Sequence, residues 1–297
     1  MTGGYGLSYA LDATRLAALV RGTQFALSDE QLDGLTRFLL EGLRWAMRGS
    51  TLDYSTTGRE FSRDMNTDRG RAVLEAIDYH LRHNLPEQAD LRAWRDSIEH
   101  NTPVLRGVTR HYWQSDYAMH HADALSLSLR MRSVRTLGSE QINREGLQSL
   151  YFSDGVTFFY RDGSEYRDVF PLWNWRRVPG TTVEQKPAPP HRSGDIVEPG
   201  TTAFVGGVGD GPFGAFAMDY QRDGVHARKA WFAFDGMIVA LGAGIRAPDA
   251  GHPVVTTINQ EWLLDAPQIA DRSGVRTAGE VESGLDEVRW VWHRGMV

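Results

Sequence analysis

The chain has 297 residues, 41% of them hydrophobic and 24% charged, a balance that supports a packed core and excludes a disordered polymer. With no cysteine, disulfides, thiolate nucleophiles and cysteine-based zinc sites are excluded, so any catalyst is oxygen- or nitrogen-based. A net charge of −6 speaks against a general nucleic-acid binder, and no apolar run approaches the roughly 20 residues that span a bilayer.

Met1 to Gly6 has neither the basic start nor the apolar stretch of a signal peptide. The first hundred residues carry helical periodicity. Leu7, Leu11, Leu16, Leu19 and Val20 mark a first helix. Leu32, Leu35, Phe38, Leu39, Leu43 and Met47 mark a second, with Ser28 and Gln31 at the positions of a capping box. Val73, Ile77 and Leu81 predict a third helix, and Leu91, Trp94 and Ile98 a fourth after Pro86. Short connections suggest that neighbouring helices pack antiparallel. The exception is Arg48 to Asp68, a long polar segment read as a loop of the kind that carries function on a helical scaffold.

From about Thr102 the pattern changes to short β-branched and aromatic runs punctuated by Asp154-Gly155, Asp162-Gly163 and Asp223-Gly224, the signature of antiparallel sheet. Gln185 to Gly200, rich in proline, reads as an irregular loop between sheet blocks. The last strand signal runs from Val288 to Trp292, five residues before the end, as if a sheet domain were cut there.

Gly206 to Gly211 invites a phosphate-loop reading, but the following Phe213 to Tyr220 looks like a strand, not a helix, which favours a hairpin turn. His80, His83, His111, His120 and His121 lack a nearby acid at metal-site spacing and are read as solvated or hydrogen-bonded. Trp113, Trp173, Trp175, Trp231, Trp262, Trp290 and Trp292 could stack on sugars, although strand alternation expects most of them in the core. Only Lys186 and Lys229 are lysines. The other basic residues are arginine, which forks onto carboxylate or sulfate, although the ratio by itself reads as coding bias. Arg59 and Arg63 stand four apart in the polar segment, with Arg69 and Arg71 after them.

Taken in order, these segments resemble polysaccharide lyase family 8, the hyaluronate, chondroitin and xanthan lyases. Thr2-Gly3-Gly4-Tyr5-Gly6 looks like the turn with the family's catalytic tyrosine, and Gly58-Arg59-Glu60-Phe61-Ser62-Arg63 like its Gly-Arg-x-(Ile/Phe)-Ser-Arg segment. Ser139 to Gly146 is similar to the stretch ending Asn-x-Glu-Asn, Trp173 to Thr182 to the Trp-x-x-(Ile/Leu/Val)-Pro-Gly-Thr-Thr segment, and Arg228 to Ile245 to the Lys-Ser-Trp-Phe-x-Phe-Asp run. The resemblance implies an α+β multidomain fold: the C-terminal part of an incomplete α/α toroid over residues 1–103, then a truncated antiparallel β-sandwich over 104–297. In the family a catalytic histidine precedes the tyrosine and an asparagine lies further upstream. Both would fall before Met1, so the resemblance implies a partial chain with little or no activity in isolation. The asparagine after the family's glutamate is Gly146 here.

The implied reaction is β-elimination at a uronic acid of an acidic polysaccharide of hyaluronan, chondroitin or xanthan type. The resemblance makes Tyr5 the group that takes the C5 proton and returns one to the leaving oxygen. A free tyrosine has a pKa of about 10, so the role needs adjacent positive charge. Arg59 is assigned to Tyr5 and the leaving group, Glu145 to orienting Arg59 or the absent histidine, and Arg63, Trp175 and Arg176 to substrate. No metal or cofactor is implied. The expected partner is the acidic polymer, not nucleic acid or membrane, and the expected state is a monomer, extracellular in its full-length form. The alternative is a catalytically inactive carbohydrate-binding remnant of such a lyase.

Overall fold

The computed structural model describes residues 2–63, 69–187, 196–278, 285 and 287–297. They fall into two compact units, Met1–Gln260 and Glu261–Val297.

The larger unit opens with a π turn over Thr2–Gly6, followed by α1 (Leu7–Val20), α2 (Asp29–Phe38), α3 (Arg69–His80) and α4 (Gln88–Glu99). The Ser28 hydroxyl accepts from the Gln31 amide while the Gln31 side chain accepts from the Ser28 amide, so the capping box read from sequence starts α2. The α1 stripe differs from the leucine pattern. It buries Leu7, Ala10, Thr14 and Ala17, while Leu16 and Leu19 are 56% and 77% exposed. The cause is steric: α1 packs chiefly on α3, whose buried face holds Gly70, Val73, Ala76 and Ile77, and small side chains let two helices approach closely. This contact also joins helices that are not chain neighbours.

Between α2 and α3 the chain forms a small hairpin of β1 (Met47–Arg48) and β2 (Thr51–Leu52), then two 3-10 turns, Tyr54–Thr56 and Gly58–Ser62. After α4 come β3 (Val108–Tyr112), β4 (Tyr117–His121), β5 (Ser126–Arg130), β6 (Leu137–Gln141), β7 (Val156–Tyr160), β8 (Thr182–Glu184) and β9 (Ile196–Pro199). They are followed by β10 (Val205–Asp210), β11 (Phe213–Arg222), β12 (Val225–Phe234), β13 (Met237–Arg246) and β14 (Val254–Thr256). One antiparallel sheet has the order β3-β4-β5-β7 and a second β10-β11-β12-β13, with β6 pairing β9 and β8 pairing β14. Ala118, Leu129 and Met131 of the first block share a core with Phe216, Met218, Ala227 and Trp231 of the second, which makes a sandwich.

Three turn readings need correction. Gly206, Gly207 and Gly209 lie within β10, and the tight turn is Gly211-Pro212, between the paired Asp210 and Phe213. A side chain at Gly209 would meet the Thr109 carbonyl at 2.7 Å, so close approach of β3 explains the glycine. Of the Asp-Gly pairs, Asp223-Gly224 closes a two-residue hairpin with both φ angles positive, whereas Asp154 is fully buried beside Arg132 and Arg222. Within the proposed proline-rich loop, residues 188–195 lie outside the described residues and Ile196–Pro199 forms a strand.

In the smaller unit β15 (Gln268–Asp271), β16 (Gly274–Thr277) and β17 (Trp290–Trp292) form an antiparallel sheet in the order β16-β15-β17, with Ile269 and Ala270 buried. Of the tryptophans expected in the core, only Trp173 and Trp231 are fully buried. Buried His80, His120 and His121 bond Thr36, Thr109 and Ser126, and no group of three or more potential metal ligands occurs among the described residues.

Candidate active site

The polar segment after Arg48 is not a solvated loop. Asp53, 1% exposed, accepts from the hydroxyls of Tyr117, Ser128 and Tyr160, each at 2.8 Å, and from Ser55 at 2.5 Å. Arg48 donates to the carbonyls of Ala122 (2.9 Å) and Asp123 (2.7 Å), and burial brings its pKa down to about 10. Arg130 of β5 donates to the Ser55 carbonyl. The first sheet thus grips the segment along its length, and a buried carboxylate is tolerated because its oxygens are met by hydroxyl donors.

That grip fixes the Gly58–Ser62 turn and with it Arg59, which is 5% exposed. Its three donor positions are separately engaged. Nη2 donates to the Tyr5 hydroxyl oxygen at 3.1 Å, Nη1 to Glu140 at 2.8 Å and Nε to Glu145 at 3.0 Å. The guanidinium carbon also lies 5.7 Å from the Tyr5 ring centroid. The hydrogen bond to Tyr5, then the charges of Glu140 and Tyr5 and the hydrogen bond to Glu145, raise the Arg59 pKa against the effect of desolvation. A bond from a permanent cation to a phenol oxygen strengthens when that oxygen becomes anionic.

Glu140 is on β6, and the chain then turns through Asn143 and Arg144, both left-handed, to present Glu145. The next residue, Gly146, has φ +71°, and a side chain there would meet the Glu140 carbonyl and Arg59 Cβ, so glycine is what this approach admits. Arg63 forks onto Glu145 with Nε at 2.6 Å and Nη2 at 2.5 Å, while its Nη1 lies 3.1 Å from Glu60. The hydrogen bonds from Arg63, then the charges and the bond from Arg59, hold the Glu145 carboxyl below the usual range.

Tyr5 is 59% exposed on its turn. Gly3 is required there, since a side chain would meet Leu52 at 2.6 Å and Thr56 at 2.7 Å. Of the six residues expected at the site, Tyr5, Arg59, Glu145 and Arg63 form one connected group, and Arg63 reaches it through Glu145, not Tyr5. Trp175 and Arg176 do not join that group directly. They line a cleft of about 640 Å³ that Glu145 and Phe61 also line. Trp175 packs on Phe61 at 5.0 Å and Arg176 donates to the Lys186 carbonyl. Glu140 and Glu60, which complete the group around Arg59 and Arg63, were not expected there from sequence. For Glu60 the available signal was its place between Arg59 and Arg63; for Glu140 there was none beyond its strand.

The model of polysaccharide lyase family 8, super-sandwich domain, matches residues 108–297. The chain belongs to polysaccharide lyase family 8. It is 36% identical to a chondroitinase-AC of Pedobacter heparinus over 94% of this chain and 39% of that protein. To a xanthan lyase of Bacillus it is 29% identical over 98% and 35%, and to a hyaluronate lyase of Thermasporomyces composti 27% over 88% and 38%. It therefore spans about two fifths of the length of these relatives. A solved chondroitinase AC lyase studied with oligosaccharides superposes with a TM-score of 0.85 at 31% identity, covering 94% of this chain and 41% of that one. A Paenibacillus xanthan lyase gives the same score at 21% identity, covering 100% and 32%, a likeness of fold. The family fold is thus present as a helical region of toroid type followed by antiparallel sandwich.

Proposed function

We propose that the group around Tyr5 serves β-elimination on an acidic, uronate-containing polysaccharide. The carrying observation is the 3.1 Å bond from Arg59 to the Tyr5 hydroxyl, with Arg59 held on its other sides by Glu140 and Glu145. In this reading Tyr5, as phenolate, takes the proton from C5 of the sugar acid. The electron pair left behind expels O4, and the phenol returns a proton to that oxygen. Arg59 stabilises the phenolate and the leaving side, a use of preorganised charge. Glu145 orients Arg59. Arg63, 41% exposed at its side chain, faces the substrate acid, and Trp175 with Arg176 lines the run of the polymer.

The division into a catalytic helical part, residues 1–103, and a sandwich part, 104–297, belongs to the same proposal, as do an extracellular setting and a monomeric state. Among the described residues no helix is long and apolar enough to cross a membrane. The family relatives named for chondroitin, hyaluronan and xanthan suggest an acidic polymer.

A second reading, carbohydrate binding without elimination, is favoured by the cleft lined by Trp173, Trp175 and Arg176, whose aromatic rings and cation do not join the Tyr5 group directly. One experiment separates the two. The chain, alone and joined to an upstream segment carrying the histidine and asparagine that the resemblance places before Tyr5, is incubated with hyaluronan, chondroitin sulfate and xanthan, and the ultraviolet absorbance of the unsaturated sugar acid is followed. Elimination predicts absorbance growth that Tyr5→Phe reduces by about a hundredfold or more, the size of a lost general base. Polymer retention without absorbance growth from any of the three would overturn it in favour of binding.

A further inference from the structure

We infer that Arg69 and Glu60 are positioning residues that clamp the Tyr5 turn against Arg59, an inference that rests on the role proposed for Tyr5. An exposed aromatic flanked by glycines has a backbone with wide conformational freedom, which must be tied down if the ring is to hold one position. Its hydroxyl contact with Arg59 holds the ring tip and leaves the backbone to be fixed.

Arg69, the first residue of α3, supplies that tie. Its side chain is 11% exposed. Nη1 donates to the Gly3 carbonyl, two residues before Tyr5, while Nη2 donates to Glu60 at 2.8 Å. Glu60, 16% exposed, lies under the turn, within 3.4 Å of where a side chain on Gly4 would begin. Its other oxygen is 3.1 Å from Arg63, which forks onto Glu145. Glu145 holds Arg59, and Arg59 holds the Tyr5 hydroxyl. Charges alternate around a circuit that begins at the Gly3 carbonyl and closes on the ring two residues later. Backbone and ring of Tyr5 are thereby referred to one rigid frame, as a proton-transfer group requires. Arginine's planar fork aims two donors at the carbonyl and the carboxylate in one fixed geometry, which the shorter, flexible ammonium of a lysine at 69 reproduces only in part.

The test uses the whole chain labelled with ¹³Cζ-tyrosine, the Tyr5 resonance being assigned by its loss in Tyr5→Phe. In Arg69→Ala the Tyr5 signal moves to the position of free tyrosine, and amide hydrogen exchange in the Thr2–Gly6 turn rises about tenfold or more, the effect of losing a charge-assisted bond. Arg69→Lys recovers part of both. Glu60→Gln moves the signal in the same direction by less. Arg15→Ala, which breaks an exposed pair with Glu75 elsewhere on α1 and α3, leaves it in place. If Arg69→Ala fails to fold by circular dichroism, Arg69→Lys and Glu60→Gln decide. An unmoved Tyr5 signal in folded variants overturns the clamp, as does a wild-type signal already at the free-tyrosine position. The readout needs no turnover. A clamp present in a protein that cleaves nothing even with the upstream segment joined overturns the functional reading alone, and cleavage with an unmoved signal overturns the clamp alone.

Discussion

Asp53 collects three hydroxyls from the first sheet and one from its own turn, so a single carboxylate decides where the whole segment up to Arg59 lies. Removing it strands the hydroxyls of Tyr117, Ser128 and Tyr160 in a dry interior, and each unmet buried donor carries a desolvation cost. Asp53→Ala is therefore expected to lower unfolding stability by about 3 kcal/mol or more in urea titration, while Tyr160→Phe, which removes one donor to Asp53, costs about 1–2 kcal/mol. A loss below about 1 kcal/mol for Asp53→Ala would mean that apolar packing alone holds the segment. At Gly146 the constraint is steric. Any side chain at 146 would press its Cβ into the Glu140 carbonyl and toward Arg59, so glycine is what admits the close approach of β6 to the Arg59 turn.

At the scale of elements, α1 was legible as a helix while its buried face was not. Leucine periodicity pointed to Leu16 and Leu19, but the face that meets α3 is the one lined by Ala10, Thr14 and Ala17, because tight pairing selects small side chains that hydrophobicity alone undervalues. Ala17→Leu is expected to overpack this contact and cost about 1–3 kcal/mol, whereas Leu19→Ala stays within about 0.5 kcal/mol, both read from thermal or urea midpoints. The reverse order would restore the leucine face. The capping box and the strand-rich second half were readable because local spacing encodes them. The burial of Arg48, Asp53 and Arg59 was not, since their partners lie in strands far along the chain. The core site group was legible only through family resemblance, because Tyr5 and Arg59 individually look like a frayed aromatic and a surface cation. Glu60 escaped because a carboxylate between arginines reads equally well as a solvated face, and Glu140 because its partner Arg59 lies far back along the chain.

For the molecule as a whole, the buried histidines set the response to acid. His121, 1% exposed, bonds the Trp45 carbonyl through Nε2, which must therefore carry the proton, and accepts from Ser126 at Nδ1, leaving no place for a second proton without breaking a bond. His80 is fully buried, with Thr36 on one ring nitrogen. Burial brings both down to about 4 from an ordinary 6.5, and it lowers His83 and His120 in the same direction. Below pH 6.5 the unfolded chain binds protons that these folded rings refuse. The stability from keeping them neutral is thus fully present above 6.5 and drains away as pH falls toward 4, with a loss on the order of 3 kcal/mol for each of His80 and His121. Urea midpoints measured between pH 7.5 and 4.5 should fall continuously, with the slope beginning near 6.5, the ordinary value of a histidine. His121→Gln, which keeps a donor and an acceptor but cannot protonate, should flatten the upper part of that slope. A stability constant from 7.5 down to 5 in the unaltered chain would show that water reaches these rings and that their hydrogen-bonded burial does not govern acid unfolding.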